Sequence, residues 1–301
     1  MRFVVAPPCS SVSEPRRILD AGSDIESGGA ELPLIRAQSL HTLKNDRAVG
    51  SKTMMFAAAG EVVDCLDEIM RATRVAVHIR SRAQGFRLIP DGSRLRPDQI
   101  GHSKAHPGDE RPSIETFLEF AVFDAYRTGQ WGRDLPWNRI VGRQVPLMSK
   151  QASEKWGAID LLGLSSEGHP VVIELKKAGS SETPLRALLE GAGYAVAVAA
   201  NWRILSEEIA RTSPDNRPAA SPDPVRVVVA APDRYWRNWD RWSTSGRGVP
   251  PSTRDGLRRV SEALALAGIQ SSFVEISHDG WSESAPLSGG GVRTVVVEPW
   301  R

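Results

Sequence analysis

Residues Gly157 to Lys177, GAIDLLGLSSEGHPVVIELKK, constrain the fold of this chain more than any other stretch. Two short Val/Ile/Leu-rich runs, 157–164 and 170–177, flank the polar segment Ser165, Ser166, Glu167, Gly168 and His169, the pattern of a β-hairpin with a longer loop. Both runs carry charge where a buried strand should not: Asp160 in the first, Glu174 and Lys176 in the second. A turn centred on Glu167 places Asp160 opposite Glu174, and directly opposed Cβ atoms lie ~5 Å apart. Side chains alternate along a strand, so Glu174 and Lys176 share one face while Val171, Ile173 and Leu175 share the other. Two carboxylates and an ammonium then converge on one side of the hairpin. Opposed carboxylates repel, and a divalent cation held by both removes the repulsion.

Asp on one strand followed by Glu-x-Lys on the next resembles the PD-(D/E)xK nuclease superfamily, in the style of its RecB-like and NucS-like members. The name-giving Pro is replaced by Ile159. The resemblance implies a restriction-endonuclease-like α-β-β-β-α-β sandwich with a central mixed sheet. It implies Asp160 and Glu174 as ligands of Mg²⁺ or Mn²⁺, Lys176 as the residue that helps activate the attacking water, and DNA as substrate. The three are the expected catalytic residues. A helix before the core strands often supplies a further acid, here Glu115 or Glu119. RecB-like enzymes place a Gln and a Tyr one turn apart on the next helix as supporting residues, and Glu190 and Tyr194 stand in that relation. A role in repair, restriction or phage defence is implied on the same ground.

The remaining elements follow from periodicity. Ser113–Thr128 reads as a helix burying Ile114, Phe117, Leu118, Ala121, Val122 and Ala125. Residues 139–148 read as a strand, and Pro184 opens a long helix. RVVVAAP, 226–232, reads as a strand covered on both faces. A helix over 252–267 and strands over 271–276 and 292–298 complete the chain. The polar stretch GHSKAHPGDERP, 101–112, marks a boundary between a small N-terminal α+β module, residues 1–105, and the nuclease-like domain, residues 106–301.

In that first module, 53–71 reads as a helix, and the alternation of Val75, Val77 and Ile79 with Arg74, His78 and Arg80 predicts a strand over 74–80, paired with 85–89. Seven Arg against one acid between residues 71 and 96 make this the most basic window of the chain, with Arg80, Arg82 and Arg87 as candidate phosphate contacts. Arg237, Arg241 and Trp239, in a segment with Trp at 236, 239 and 242, are further candidates for DNA contact, by Arg pairing and base stacking. A solvated face and a buried Trp stripe are the structural alternatives for these two segments.

Composition narrows the class. Net charge is +2 over 301 residues, so only local patches can serve a polyanion. Two cysteines, Cys9 and Cys65, cannot build a thiolate-rich zinc or iron–sulfur site. The start, MRFVVAPPCS, has too short an apolar run for a signal peptide, and no stretch approaches the ~20 apolar residues of a membrane helix. The expectation is a cytoplasmic protein with DNA as partner, no membrane association, and a homodimer left open. Against the nuclease stand two other classes: a nucleic-acid-binding module of the same fold that does not cleave, and a partner-binding structural protein.

Overall fold

The run Val225–Pro232 (β4) is apolar throughout and buried along its length, apart from the half-buried Arg226, because helices cover both faces of the sheet it centres. In the computed structural model the described residues are 38–51, 54–84, 135–147, 157–212, 215–244, 255–278 and 292–297, with helical residues 118, 119, 122, 123 and 126. Six strands lie in sequence order across one mixed sheet: β1 Arg139–Pro146, β2 Ala158–Leu164, β3 Pro170–Leu175, β4, β5 Ile269–His278 and β6 Val292–Val297. β1–β2–β3 and β5–β6 pair antiparallel, whereas β3–β4–β5 pair parallel. The parallel steps need crossovers, and helices supply them. Pro184–Ala200 (α5) and Trp202–Thr212 (α6) connect β3 to β4; Asp233–Thr244 (α7) and Gly256–Leu266 (α8) connect β4 to β5. The result is a mixed α/β sandwich.

One face of the sheet presents Leu161, Val171, Ile173, Leu175, Val228, Ala230, Val274 and Ile276 to the helical residues Leu118, Val122 and Phe123. The other is covered by α5, which packs on β3 and β4. Thr183 caps α5, its hydroxyl accepting from the Arg186 N–H at 3.0 Å, and Pro184 occupies the first turn. Leu185, Leu188 and Leu189 are fully buried, each contributing about 1.5–3 kcal/mol. Gly191 lets the helix approach β4: a Cβ there would lie 2.6 Å from Val227 Cγ1.

Helices Leu40–Leu43 (α1), Arg47–Gly50 (α2), Met55–Asp64 (α3) and Leu66–Gln84 (α4) pack against α5 and α8. The expected boundary near residue 105 lies outside the described residues. By its own contacts the chain falls into units 1–32 and 33–301, and every described residue belongs to the second. The expected strand over 74–80 is corrected: these residues continue α4. Leu66, Ile69, Met70, Thr73 and Val77 are buried at helical spacing, whereas Val75 is 54% exposed. The local alternation of Val and Arg is compatible with either period, and packing on α5 selects the helical one. The expected partner strand, 85–89, lies outside the described residues. Among the described residues no helix is long and apolar enough to cross a membrane.

Candidate active site

The β2–β3 hairpin has the register that the turn at Glu167 predicts. Leu161 is opposite Ile173 and Leu164 opposite Pro170, which sets Asp160 opposite Glu174 just beyond the paired residues. Leu161 and Ile173 enter the core face, so Asp160 and Glu174 point to the α5 face. Asp160 Oδ2 accepts the Leu175 N–H at 2.8 Å. Lys176 Nζ lies 2.8 Å from Glu174 Oε1, on the same face.

Further groups close around this trio. Lys176 Nζ is 2.6 Å from Glu182 Oε2 and 3.5 Å from Glu190 Oε2. Glu190 Oε1 accepts from the Tyr194 hydroxyl at 2.8 Å and pairs with Lys44 Nζ at 2.5 Å. On the β1 side, Gln144 Nε2 donates to Glu119 Oε1 at 2.8 Å and to Asp160 Oδ1 at 3.2 Å, and Arg143 pairs with Glu119 at 3.3 Å. Gln144 holds φ at 49°, the left-handed region, at a cost of about 1–2 kcal/mol for a residue with a Cβ. Strain of this kind accumulates at functional sites.

Burial and mutual charge set the protonation states. Burial, then the Glu119 charge, push Asp160 up to about 8, against the opposing Lys176 charge and the Leu175 N–H. Burial and then Asp160 raise Glu174 well above the usual carboxylate range. Burial alone would lower Lys176, but the carboxylates of Glu174, Glu190, Glu182 and Asp160 more than reverse this and hold it charged. Burial opposes ionisation of Glu190, yet Lys176, Lys44 and the Tyr194 hydroxyl bring it down to about 2. Burial and the neighbouring Glu174 and Glu190 raise the Tyr194 phenol, which stays a hydrogen-bond donor.

Two carboxylate oxygens of this network are buried with no hydrogen-bond partner among the described residues, Glu174 Oε2 and Glu182 Oε2. Glu182 Oε2 has the Lys176 ammonium at 2.6 Å, which leaves Glu174 Oε2 as the bare oxygen among the described residues. Leaving a charged carboxylate oxygen in that state costs several kcal/mol, and either a proton or a cation relieves it. Two carboxylates facing one another, one with a bare oxygen, suit a hard divalent cation that completes its shell with water and phosphate oxygens. Among the described residues no group of three or more His, Cys, Asp or Glu is arranged to hold a metal ion. The acids placed to serve as donors are the Asp160–Glu174 pair, with Glu119 joined to Asp160 through Gln144.

The sequence-selected residues divide clearly. Asp160, Glu174, Lys176, Glu190, Tyr194 and Glu119 are brought together. Arg237 is exposed and paired to Asp233 at 2.7 Å on its own helix. Trp236 belongs to the core, edge-on to Tyr235 and Phe273, with its N–H donating to the Ala231 and Val274 carbonyls. Arg80 and Arg82 fall on α4, and Trp239 and Arg241 on α7, but their side chains lie outside the described residues, as do Arg87 and Glu115 altogether. Sequence reasoning missed Lys44, Gln144 and Glu182. Gln144 sits mid-strand and Glu182 in a connecting loop, and neither carries a spacing signal. Lys44 is 146 residues from its partner. Compared with protein-family models, curated proteins and solved structures, the chain finds no match.

Proposed function

We propose that this chain is a metal-dependent deoxyribonuclease that hydrolyses phosphodiester bonds, with Mg²⁺ or Mn²⁺ held by Asp160 and Glu174. The observation that carries the reading is the buried Glu174 Oε2, without a hydrogen bond among the described residues, beside an Asp160 whose ionisation is suppressed. A divalent cation bound there supplies a Lewis acid for the phosphoryl oxygens and a water of lowered pKa. Lys176, kept protonated by its carboxylates, acts as a hydrogen-bond donor and not as a base. It orients the attacking water or offsets charge that develops on the phosphate. Glu174 Oε1 holds that ammonium at 2.8 Å. Glu119 and Gln144 hold Asp160 from the opposite side.

The finer fold belongs to the same proposal. The helical residues 118, 119, 122, 123 and 126, followed by β1, β2, β3, α5 and β4, support the α-β-β-β-α-β order of a restriction-endonuclease-like core. The basic window on and after α4 would contact the DNA backbone.

The test is cleavage of single-stranded, double-stranded and mismatched DNA in Mg²⁺, Mn²⁺ or EDTA. Wild type cleaves at least one substrate only with metal. Asp160→Asn, Glu174→Gln and Lys176→Ala each lose most of that activity, roughly a hundredfold or more, while still binding DNA. Full cleavage by pure Lys176→Ala, or cleavage in EDTA, overturns the assignment. Binding without cleavage by wild type would leave a DNA-binding module.

A further inference from the structure

Lys44 comes from a segment with no legible chemistry, yet its side chain is almost fully buried in the site. Its Nζ lies 2.5 Å from Glu190 Oε1, 3.4 Å from the Tyr194 hydroxyl and 5.2 Å from the Tyr194 ring centre. The segment is anchored at both ends. Leu40 and Leu43 are fully buried, and the Leu40 N–H donates to Thr73 Oγ1 on α4 at 2.9 Å. Within α2, the Val49 carbonyl accepts from the hydroxyl of Thr183, the residue that caps α5, at 2.6 Å. The backbone carrying Lys44 is thus tied both to α4 and to the start of the helix that carries Glu190.

The consequence is a division of labour at Glu190. One oxygen serves Lys44 and Tyr194, and the other faces Lys176 at 3.5 Å. Lys176 is closer to Glu174 and Glu182 than to Glu190. Without Lys44, the buried Glu190 charge would turn to Lys176, the other ammonium beside it among the described residues, and would draw it away from Glu174. Glu190 is ionised between two ammoniums, and Lys44, at 2.5 Å, is the nearer compensating charge.

We propose that Lys44 is a positioning residue of the catalytic site, supplied from outside the core fold, which holds Glu190 and Tyr194 so that the Lys176 ammonium stays on Glu174. This rests on the nuclease reading for its effect on cleavage, but the Lys44–Glu190 pairing is measurable without it.

Lys44→Met, Lys44→Arg, Glu190→Gln and the Lys44→Met/Glu190→Gln double variant are compared in two assays: thermal melts in EDTA and steady-state DNA cleavage in Mn²⁺. Lys44→Met is expected to lose kcat roughly 10- to 100-fold, as outer-shell partners do, with KM nearly unchanged. Lys44→Arg restores most of that loss. In the Glu190→Gln background, Lys44→Met costs at most about threefold more, because the two act as one unit. In EDTA the double variant melts higher than the sum of the two single losses predicts, by about 2–4 °C. Wild-type kcat in Lys44→Met, or additive losses in both assays, overturns the proposal. Should wild type cleave no DNA, the nuclease reading falls, and the EDTA melts alone decide: coupling upholds the positioning of Glu190 by Lys44 and additivity overturns it. If Lys44→Met does not fold, Lys44→Gln, polar and of similar reach, takes its place in both assays.

Discussion

Asp160→Asn should reduce a pH-dependent instability that wild type shows without metal. Asp160 is raised to about 8 in the folded chain, chiefly by burial and then by Glu119. In the unfolded chain an Asp titrates near 3.9. Between those values the folded state keeps a proton that the unfolded state releases, so stability falls as pH rises from about 4 to about 8. Each pH unit inside the window costs on the order of 1 kcal/mol for one carboxyl, so pH 5 to pH 7 costs roughly 3 kcal/mol. That corresponds to a melting temperature lower by roughly 5–10 °C. The other perturbed groups of the site do not cancel this. Glu190, lowered to about 2, gains stability as pH rises but completes the change by about pH 5. Lys176, raised above its ordinary value, stays charged in both states across the window. Glu174 is raised and adds loss of the same sign. The Asn amide carries no titrating proton, and its carbonyl can still accept the Leu175 N–H. Melts in EDTA at pH 5, 6 and 7 should therefore show a steep fall for wild type and a shallower one for Asp160→Asn, which melts higher at pH 7. Metal at a hundredfold excess over Kd should stabilise wild type at pH 7 by about 2.7 kcal/mol and the variant by little. Parallel pH profiles would mean that Asp160 is ionised in the metal-free fold. Parallel responses to Mn²⁺ would remove the shared metal site.

Gly157→Ala should destabilise by roughly 1–3 kcal/mol in urea unfolding, since Gly157 has φ of 96° and a Cβ there would lie 2.6 Å from the Tyr194 hydroxyl; a neutral change would show that this hydroxyl yields freely. Thr183→Val removes the α5 cap and strands the Val49 carbonyl, for an expected loss of roughly 1–3 kcal/mol by the same measurement, and a loss under about 0.5 kcal/mol would refute the anchoring of α2 to α5. Replacing Arg80, Arg82 and Arg87 with Ala should flatten the salt dependence of DNA binding by about 0.7–0.9 in log–log slope for each phosphate left without its Arg. An unchanged slope would make the basic window a solvated face.

The features legible in the sequence are those set by neighbours a few residues away. The hairpin register follows from a five-residue turn and from alternation along two short strands, which is why the sequence places Asp160, Glu174 and Lys176 together. Glu190 and Tyr194 are related by one helical turn, a local spacing as well. The order of the strands from residue 139 onward is readable for the same reason, whereas α6 is not among the expected elements. Three things are settled only by packing. The 74–80 segment satisfies both a strand and a helix period, and contact with α5 selects the helix. Gln144 acquires a role because a left-handed backbone turns its amide between two carboxylates that belong to different elements. Lys44 becomes part of the site because burying Leu40 and Leu43 brings α1 onto α5, and a charge buried beside Glu190 must come from whatever segment covers it. Local sequence encodes periodicity and register. Compensation of buried charge is a sum over everything within a few ångströms, and that sum exists only in the folded chain.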